Sequence, residues 1–301
     1  MDSNTKELTK TSNLSQSSIT TSNSDGSSVR LSPEGQNQNP KSKPDARLRV
    51  RTMCLLGALL PGIGCYICIA YTYLFQLDKV MNFTSTNCHD VKSTFPPVSY
   101  SIGVWRPQKY FWLIVLALHL PPRLFYGMVY KNQFHLADSG AKENSWYPFL
   151  VQVHIRLIWV EVAGLVTVSV IDIESNFAIH AFCYAVWITS FCVNMFFNSI
   201  LYHHSGISEL MSHDKLIFRV KCTIFVAGSC LAISTGISYF SYMIFCSGLA
   251  YALFSVAEYI LVGLNSLFYF LLVWELSDSQ VEFYMAHEEH INTRVAEINK
   301  C

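Results

Sequence analysis

The chain has no surplus of either charge and little charge of any kind. Its 21 basic residues balance 21 acidic ones, and only 14% of 301 residues are charged, where soluble domains carry about 25%. Neither a global attraction to nucleic acid nor an acidic tail follows from that balance, so no nucleic-acid partner is expected. Residues 1–50 contain no aromatic residue, whereas nearly all of the 20 Phe, 16 Tyr and 6 Trp fall between residues 53 and 274. The opening stretch also lacks an apolar core directly after a short basic region, so it does not read as a cleaved signal peptide. There is no G-x-S-x-G elbow, no H-E-x-x-H and no carboxylate-rich metal loop, which removes the common hydrolase and metal signatures.

What is present divides the chain. Residues 1–50, rich in Ser, Thr, Asn, Gln and Pro, cannot bury enough apolar area to offset chain entropy and read as a disordered tail. Met53–Leu77 then runs 25 residues without a charge. A helix rising ~1.5 Å per residue crosses a ~30 Å hydrocarbon core in about 20 residues. Tyr110–Tyr130, Phe149–Ile171, Ala178–Tyr202, Cys222–Tyr242 and Leu249–Trp274 are also long enough. The expected fold is all-α: a six-helix transmembrane bundle over residues 51–276, with a C-terminal tail over 277–301. Arg47, Arg49 and Arg51 before the first helix favour a cytoplasmic start, so both tails should face the cytoplasm. Lys79, Lys92, Arg106 and Lys109 in the loop of residues 78–109 argue against unanimity, because that loop would then be luminal or extracellular.

This topology sorts the cysteines. Cys88 and Cys246 fall in two luminal segments, where a disulfide is permitted; the alternative is two free thiols. Cys65-x-x-Cys68 lies inside an apolar helix with no second pair and reads as packing rather than a metal site. Asn82-Phe83-Thr84 is a glycosylation sequon close enough to the membrane to be shielded.

The informative residues are those that lipid disfavours. A charged side chain at the centre of a spanning helix costs about 2.5–3.5 kcal/mol on insertion scales, so it faces the bundle interior and often marks function. Arg123, Glu161 and Glu258 are so placed, with His119 one turn before Arg123, Asn265 on nearly the same face as Glu258, and His180 opening the fourth helix. All six fall in the middle or luminal half, so one polar cluster is expected. The bland reading of the same residues is an ion pair of Arg123 with Glu161 or Glu258 that locks the bundle. His154, Arg156, His203 and His204 lie near helix ends, where snorkelling to water is the default. The aromatic residues call for no cofactor, since interfacial belts and lipid-facing packing account for them. A pore or transporter is disfavoured because no repeat or pair of broken helices is visible.

The order and spacing of several segments resembles the Frag/DRAM/Sfk family: Pro97-Val98-Ser99-Tyr100-Ser101-Ile102-Gly103, Pro107-Gln108-Lys109-Tyr110, Leu118-His119-Leu120-Pro121-Pro122-Arg123, Glu161, Phe177-Ala178-Ile179-His180, Cys246, Glu258-Tyr259 and Asn265. The likeness covers residues 47–276. It departs at Val273-Trp274-Glu275, where the family carries a tandem tryptophan before an acid. The resemblance implies a multi-pass Golgi or endoplasmic-reticulum protein required for fatty-acid remodelling of GPI anchors, at the step that returns a saturated chain to lyso-GPI. Its implied partners are GPI-anchored proteins or their lyso-GPI lipid, membrane lipid and an acyl donor. For such a transfer His119 or His180 would serve as general base, having an ordinary pKa near 6.5. Arg123, with Glu161, Glu258 and Asn265 around it, would hold a lipid phosphate. The residues do not separate an acyltransferase from a non-catalytic lipid-binding regulator, carrier or scaffold.

Overall fold

The computed structural model describes residues 46–85, 88, 91–136, 139–207, 212–275 and 280–283. The sequence-predicted tails lie almost wholly outside these residues. Six long helices carry the fold: α1 (Val50–Phe75), α2 (Gln108–Leu136), α3 (Trp146–Val170), α4 (Phe177–His204), α5 (Ser212–Phe245) and α6 (Gly248–Phe270). All six are long and apolar enough to cross a membrane, and the protein is a multi-pass membrane protein. The expected spans coincide with these helices. The largest difference is at α5, which starts ten residues before Cys222.

Each helix packs on its neighbour in sequence and α6 returns to α1, which closes a ring. Pro61 in α1 and Pro121 and Pro122 in α2 leave both helices continuous, because neighbouring helices and local adjustment re-satisfy a spanning backbone. Asn176 caps α4 by accepting from the Ile179 amide at 3.1 Å. At the α3–α4 contact a Cβ on Gly164 would lie 3.0 Å from the Trp187 backbone nitrogen. The absence of a side chain there lets these two backbones approach closely. Outward-facing Ile233, Ile237, Phe240 and Ile244 on α5 are all more than 60% exposed, an apolar face that lipid covers.

Two connections define the ends of the bundle. At one end, Ala46–Arg49 (β1) pairs antiparallel with Gln280–Phe283 (β2), Ala46 opposite Phe283. This ribbon is an addition to the expected all-α pattern and brings the start of α1 and the chain after α6 to the same side. At the other end, Cys88 and Cys246 form a disulfide, as expected. The long α1–α2 connection is not an open loop. Thr84 bridges Lys92, Tyr73 donates to the Thr94 carbonyl at 3.0 Å, and Tyr100–Val104 forms a π-helical turn. Phe83, Tyr100, Tyr242 and Tyr251 pack this connection onto α5 and α6.

Candidate functional site

The charged residues fall into two hydrogen-bonded groups. In the first, Arg123 Nη2 on α2 donates to Glu161 Oε1 on α3 at 2.5 Å and to Asn265 Oδ1 on α6 at 2.8 Å. Asn265 Nδ2 returns a bond to the same Glu161 oxygen at 2.9 Å. Glu161 Oε2 accepts from Tyr269 at 2.5 Å and from Asn194 Nδ2 at 3.2 Å. The guanidinium also lies 4.5 Å from the centre of the Tyr269 ring. Every member is buried, and Glu161 carries four donors. That saturation is what lets a charge pair persist away from water. Arg123 thus pairs with Glu161 and not with Glu258. Asn194 and Tyr269 were missed in the sequence, although Tyr269 lies one turn after Asn265 and Asn194 is an amide in an apolar run.

The second group lies toward the disulfide end. His180 Nδ1 is 2.7 Å from the Ile171 carbonyl oxygen, and its Nε2 is 2.9 Å from Ser99 Oγ. Glu258 Oε2 accepts from the Val98 amide at 3.1 Å, and the Tyr259 hydroxyl donates to the Pro96 carbonyl. The α1–α2 connection is therefore clamped to α6 at Pro96 and Val98, immediately before Ser99, which meets α4. The turn carrying Ile171 is itself anchored: Lys109 Nζ lies 2.7 Å from Asp172 Oδ2, and the Ser175 amide donates to Asp172 Oδ1 at 2.6 Å. Partial burial raises the Asp172 carboxyl, but the Lys109 and Ser175 bonds outweigh it and hold the pKa down at about 2.

Two cavities meet at this group. The larger, about 320 Å³, runs between α4, α5 and α6 and is lined largely by apolar side chains. Phe177 and Phe240 on its rim are 40% and 68% exposed, so it opens toward the lipid-facing surface. The smaller, about 60 Å³, reaches into the bundle as far as Arg123 and Asn265. Ser99, His180, Tyr184 and Glu258 line both. The smaller cavity thus gathers four of the six expected residues: His180, Arg123, Glu258 and Asn265. Glu161 lines neither cavity and contacts Arg123 and Asn265 instead. His119 lines neither, and its Nδ1 bonds the Val115 carbonyl of its own helix at 2.9 Å.

A third buried group lies near the ribbon end and corrects one expectation. His154 does not snorkel; it is fully buried, with Nε2 3.2 Å from Asn198 Nδ2 and its ring against Tyr130 and Phe134. Asn198 also accepts from Lys221 Nζ at 2.8 Å, and Lys221 pairs with Glu275 at 2.6 Å. His203 and His204, in contrast, are exposed. Cys65 and Cys68 are buried thiols packed among Ile69, Val98, Trp112 and Val115, the packing role expected of them. Asn82 is exposed at the end of the short helix Leu77–Met81 and donates to the Asp78 carbonyl at 3.0 Å.

A ring of six spanning helices, a cavity open to the lipid face and a serine–histidine contact at its polar end define a multi-pass membrane protein with a built interior site. The chain belongs to the Frag1/DRAM/Sfk1/Cwh43P N-terminal domain family, whose model matches residues 50–279. It is 28% identical over 229 residues to the Post-GPI attachment to proteins factor 2-like protein of Drosophila melanogaster, covering 74% of this chain and 68% of the relative. It is 23% identical to the Acyltransferase PGAP2 of Xenopus tropicalis over 78% of this chain and 90% of the relative. It is 24% identical to the Post-GPI attachment to proteins factor 2 of Caenorhabditis briggsae over 80% and 91%. No solved structure matches the chain.

Proposed function

We propose that the protein acts in GPI-anchor lipid remodelling as an acyltransferase that returns a fatty acid to lyso-GPI-anchored proteins. It would work in the Golgi or endoplasmic-reticulum membrane with both termini in the cytoplasm, which puts the disulfide end in the lumen, where GPI-anchored proteins reside. The observation that carries this reading is the cavity of about 320 Å³, open at its lipid-facing rim and ended by Ser99, His180 and Glu258. Its size falls within the roughly 300–1,000 Å³ of ordinary ligand sites. An apolar chain entering from the bilayer would place its carbonyl beside a histidine held in one orientation. The names of the relatives, which include an acyltransferase and post-GPI attachment factors, support the same reading.

In this arrangement His180 accepts the proton, and the clamp from Glu258 and Tyr259 fixes the wall opposite it. Arg123 and Asn265 set the floor of the smaller cavity, Glu161 behind them holds both and keeps the helices in register, and Arg123 supplies the positive end for a lipid phosphate. The test is reconstitution of the purified chain in vesicles with a lyso-GPI-anchored protein and a labelled acyl donor. Label appearing on the GPI anchor is the expected result. Saturable binding of both lipids with no label transferred would replace the enzyme with a carrier.

A further inference from the structure

Proton acceptance by His180 leaves unexplained the side chain that His180 actually touches. The Ile171 carbonyl, 2.7 Å from Nδ1, can only accept a hydrogen bond, so Nδ1 carries the proton and the neutral ring keeps a lone pair on Nε2. The atom 2.9 Å from that lone pair is Ser99 Oγ, and the serine hydroxyl is therefore the donor. A hydroxyl donating to a histidine whose other nitrogen is fixed by a third group is the arrangement that activates serine nucleophiles on unrelated folds.

Three further features fit that role. Ser99 is half-buried and His180 is buried, and both line the two cavities, so hydroxyl and base face the same space. The backbone on the N-terminal side of Ser99 is held by the bonds of Glu258 to Val98 and of Tyr259 to Pro96, which restricts where Oγ can lie. Tyr184, one helical turn after His180, lines both cavities with Ser99, and its hydroxyl is buried with no hydrogen-bond partner among the described residues. An orphaned donor lining the same cavities as a candidate nucleophile suits an oxygen that gains negative charge during reaction.

We infer that Ser99 carries the acyl group as a covalent ester between donor and acceptor, with His180 as its base and Tyr184 as a donor to the oxyanion; the inference rests on the acyl-transfer reading above. The donor is an activated acyl ester, either an acyl thioester or the ester of a membrane phospholipid. Ser99 Oγ attacks the donor carbonyl carbon as its proton passes to His180 Nε2. The tetrahedral adduct collapses, the carbon–sulfur or carbon–oxygen bond to the leaving group breaks, and the departing thiol or lysophospholipid hydroxyl takes the proton from His180. In the second half, the lyso-GPI hydroxyl gives its proton to Nε2 and attacks the serine ester. The new ester forms, the Ser99 Oγ–acyl bond breaks, and the serine recovers its proton. One ester is exchanged for another and nothing is oxidised or reduced.

The experiment gives purified full-length protein in lipid nanodiscs an acyl thioester in one arm and a labelled phospholipid in the other, first without acceptor and then with a lyso-GPI-anchored protein. Peptide mass spectrometry is expected to find the acyl mass on Ser99 in at least one arm, and the arm identifies the donor. Adding acceptor should discharge that adduct. Ser99→Ala should remove it and lower transfer at least a hundredfold. Ser99→Cys should give an adduct cleaved by neutral hydroxylamine, the signature of a thioester that a purely structural serine would not produce. An intact Cys88–Cys246 disulfide and an unchanged melting curve control for folding. If wild-type protein acylates the acceptor and Ser99→Ala does so within threefold, the covalent step is wrong and direct transfer with His180 as base stands. If wild-type protein acylates nothing with either donor, the acyl-transfer reading fails and the inference falls with it.

Discussion

Glu161 and Glu258 are both carboxylates buried within membrane-spanning helices, yet their surroundings differ. Glu161 meets four donors from three other helices: Arg123 and Asn265 on one oxygen, Tyr269 and Asn194 on the other. Glu258 takes a backbone amide of the α1–α2 connection and lines two cavities beside Ser99 and His180. The Lys221–Glu275–Asn198–His154 group at the ribbon end resembles Glu161 in being knitted together by its own members. A charge in the hydrocarbon region does not by itself mark chemistry. What separates the two carboxylates is that protein donors fill both oxygens of Glu161, which lines no cavity, while Glu258 takes one backbone amide and lines two.

The strongest way to break this contrast is Arg123→Ala. It strands Glu161 with its two amides and its tyrosine, and should cost about 3–5 kcal/mol, read as lost protein and a lowered melting temperature in detergent. Pairing it with Glu161→Ala should cost less than the sum of the single changes; a strictly additive double variant would mean that the two charges are not coupled. A sharper comparison sets Glu161→Gln against Glu258→Gln. The Glu258 variant keeps an acceptor for the Val98 amide, so its melting curve should move by no more than about 1 kcal/mol, whereas the Glu161 variant points an amide at donors and should lose several times more. Equal losses would erase the distinction between the two groups. Gly236→Leu acts only on the cavity. A Cβ there meets no atom within 4 Å, so stability should rise by up to about 0.5 kcal/mol from helix propensity, while the acyl chains accepted should become shorter; an unaltered chain-length profile would place the acyl chain elsewhere.

The smallest expected effect is a pH dependence outside the membrane. Asp172 has its carboxyl held down at about 2 from an ordinary 3.8, so its pair with Lys109 contributes fully above about 4 and is lost as pH falls through 2. Between pH 5 and 8 the position of His180 should not respond to this pair. A step in wild-type thermal stability between pH 5 and 8 that Asp172→Asn abolishes would show that the anchor of the Ile171 turn titrates where the wild-type geometry says it does not.

The spans were legible because long uncharged runs admit few alternatives. The disulfide was legible because topology left Cys88 and Cys246 as the pair in the two facing connections. The start of α5 was not, since Lys215, Arg219 and Lys221 end the apolar run; Lys221 stays buried because Glu275 and Asn198 reach it across the bundle. The candidate site was half legible. Charge in lipid pointed to Arg123, Glu161 and Glu258, but which acid takes the arginine depends on helix rotation, which composition does not encode. His154 was misread because its position near a helix end says nothing of the amide and aromatic rings that enclose it. Ser99 stood out only as part of the Pro97–Gly103 segment and carried no chemical signal of its own: a serine there acquires that meaning from a histidine 81 residues away.

The β1–β2 ribbon bears on how the molecule is made. Ala46–Arg49 leaves the ribosome before any span, yet its partner Gln280–Phe283 emerges only after the sixth. The ribbon cannot form on a nascent chain whose insertion is incomplete, so among the described residues its closure is the last backbone pairing of biosynthesis. A chain stalled before residue 280 exposes one unpaired strand next to the membrane. That edge distinguishes an unfinished molecule from a finished one.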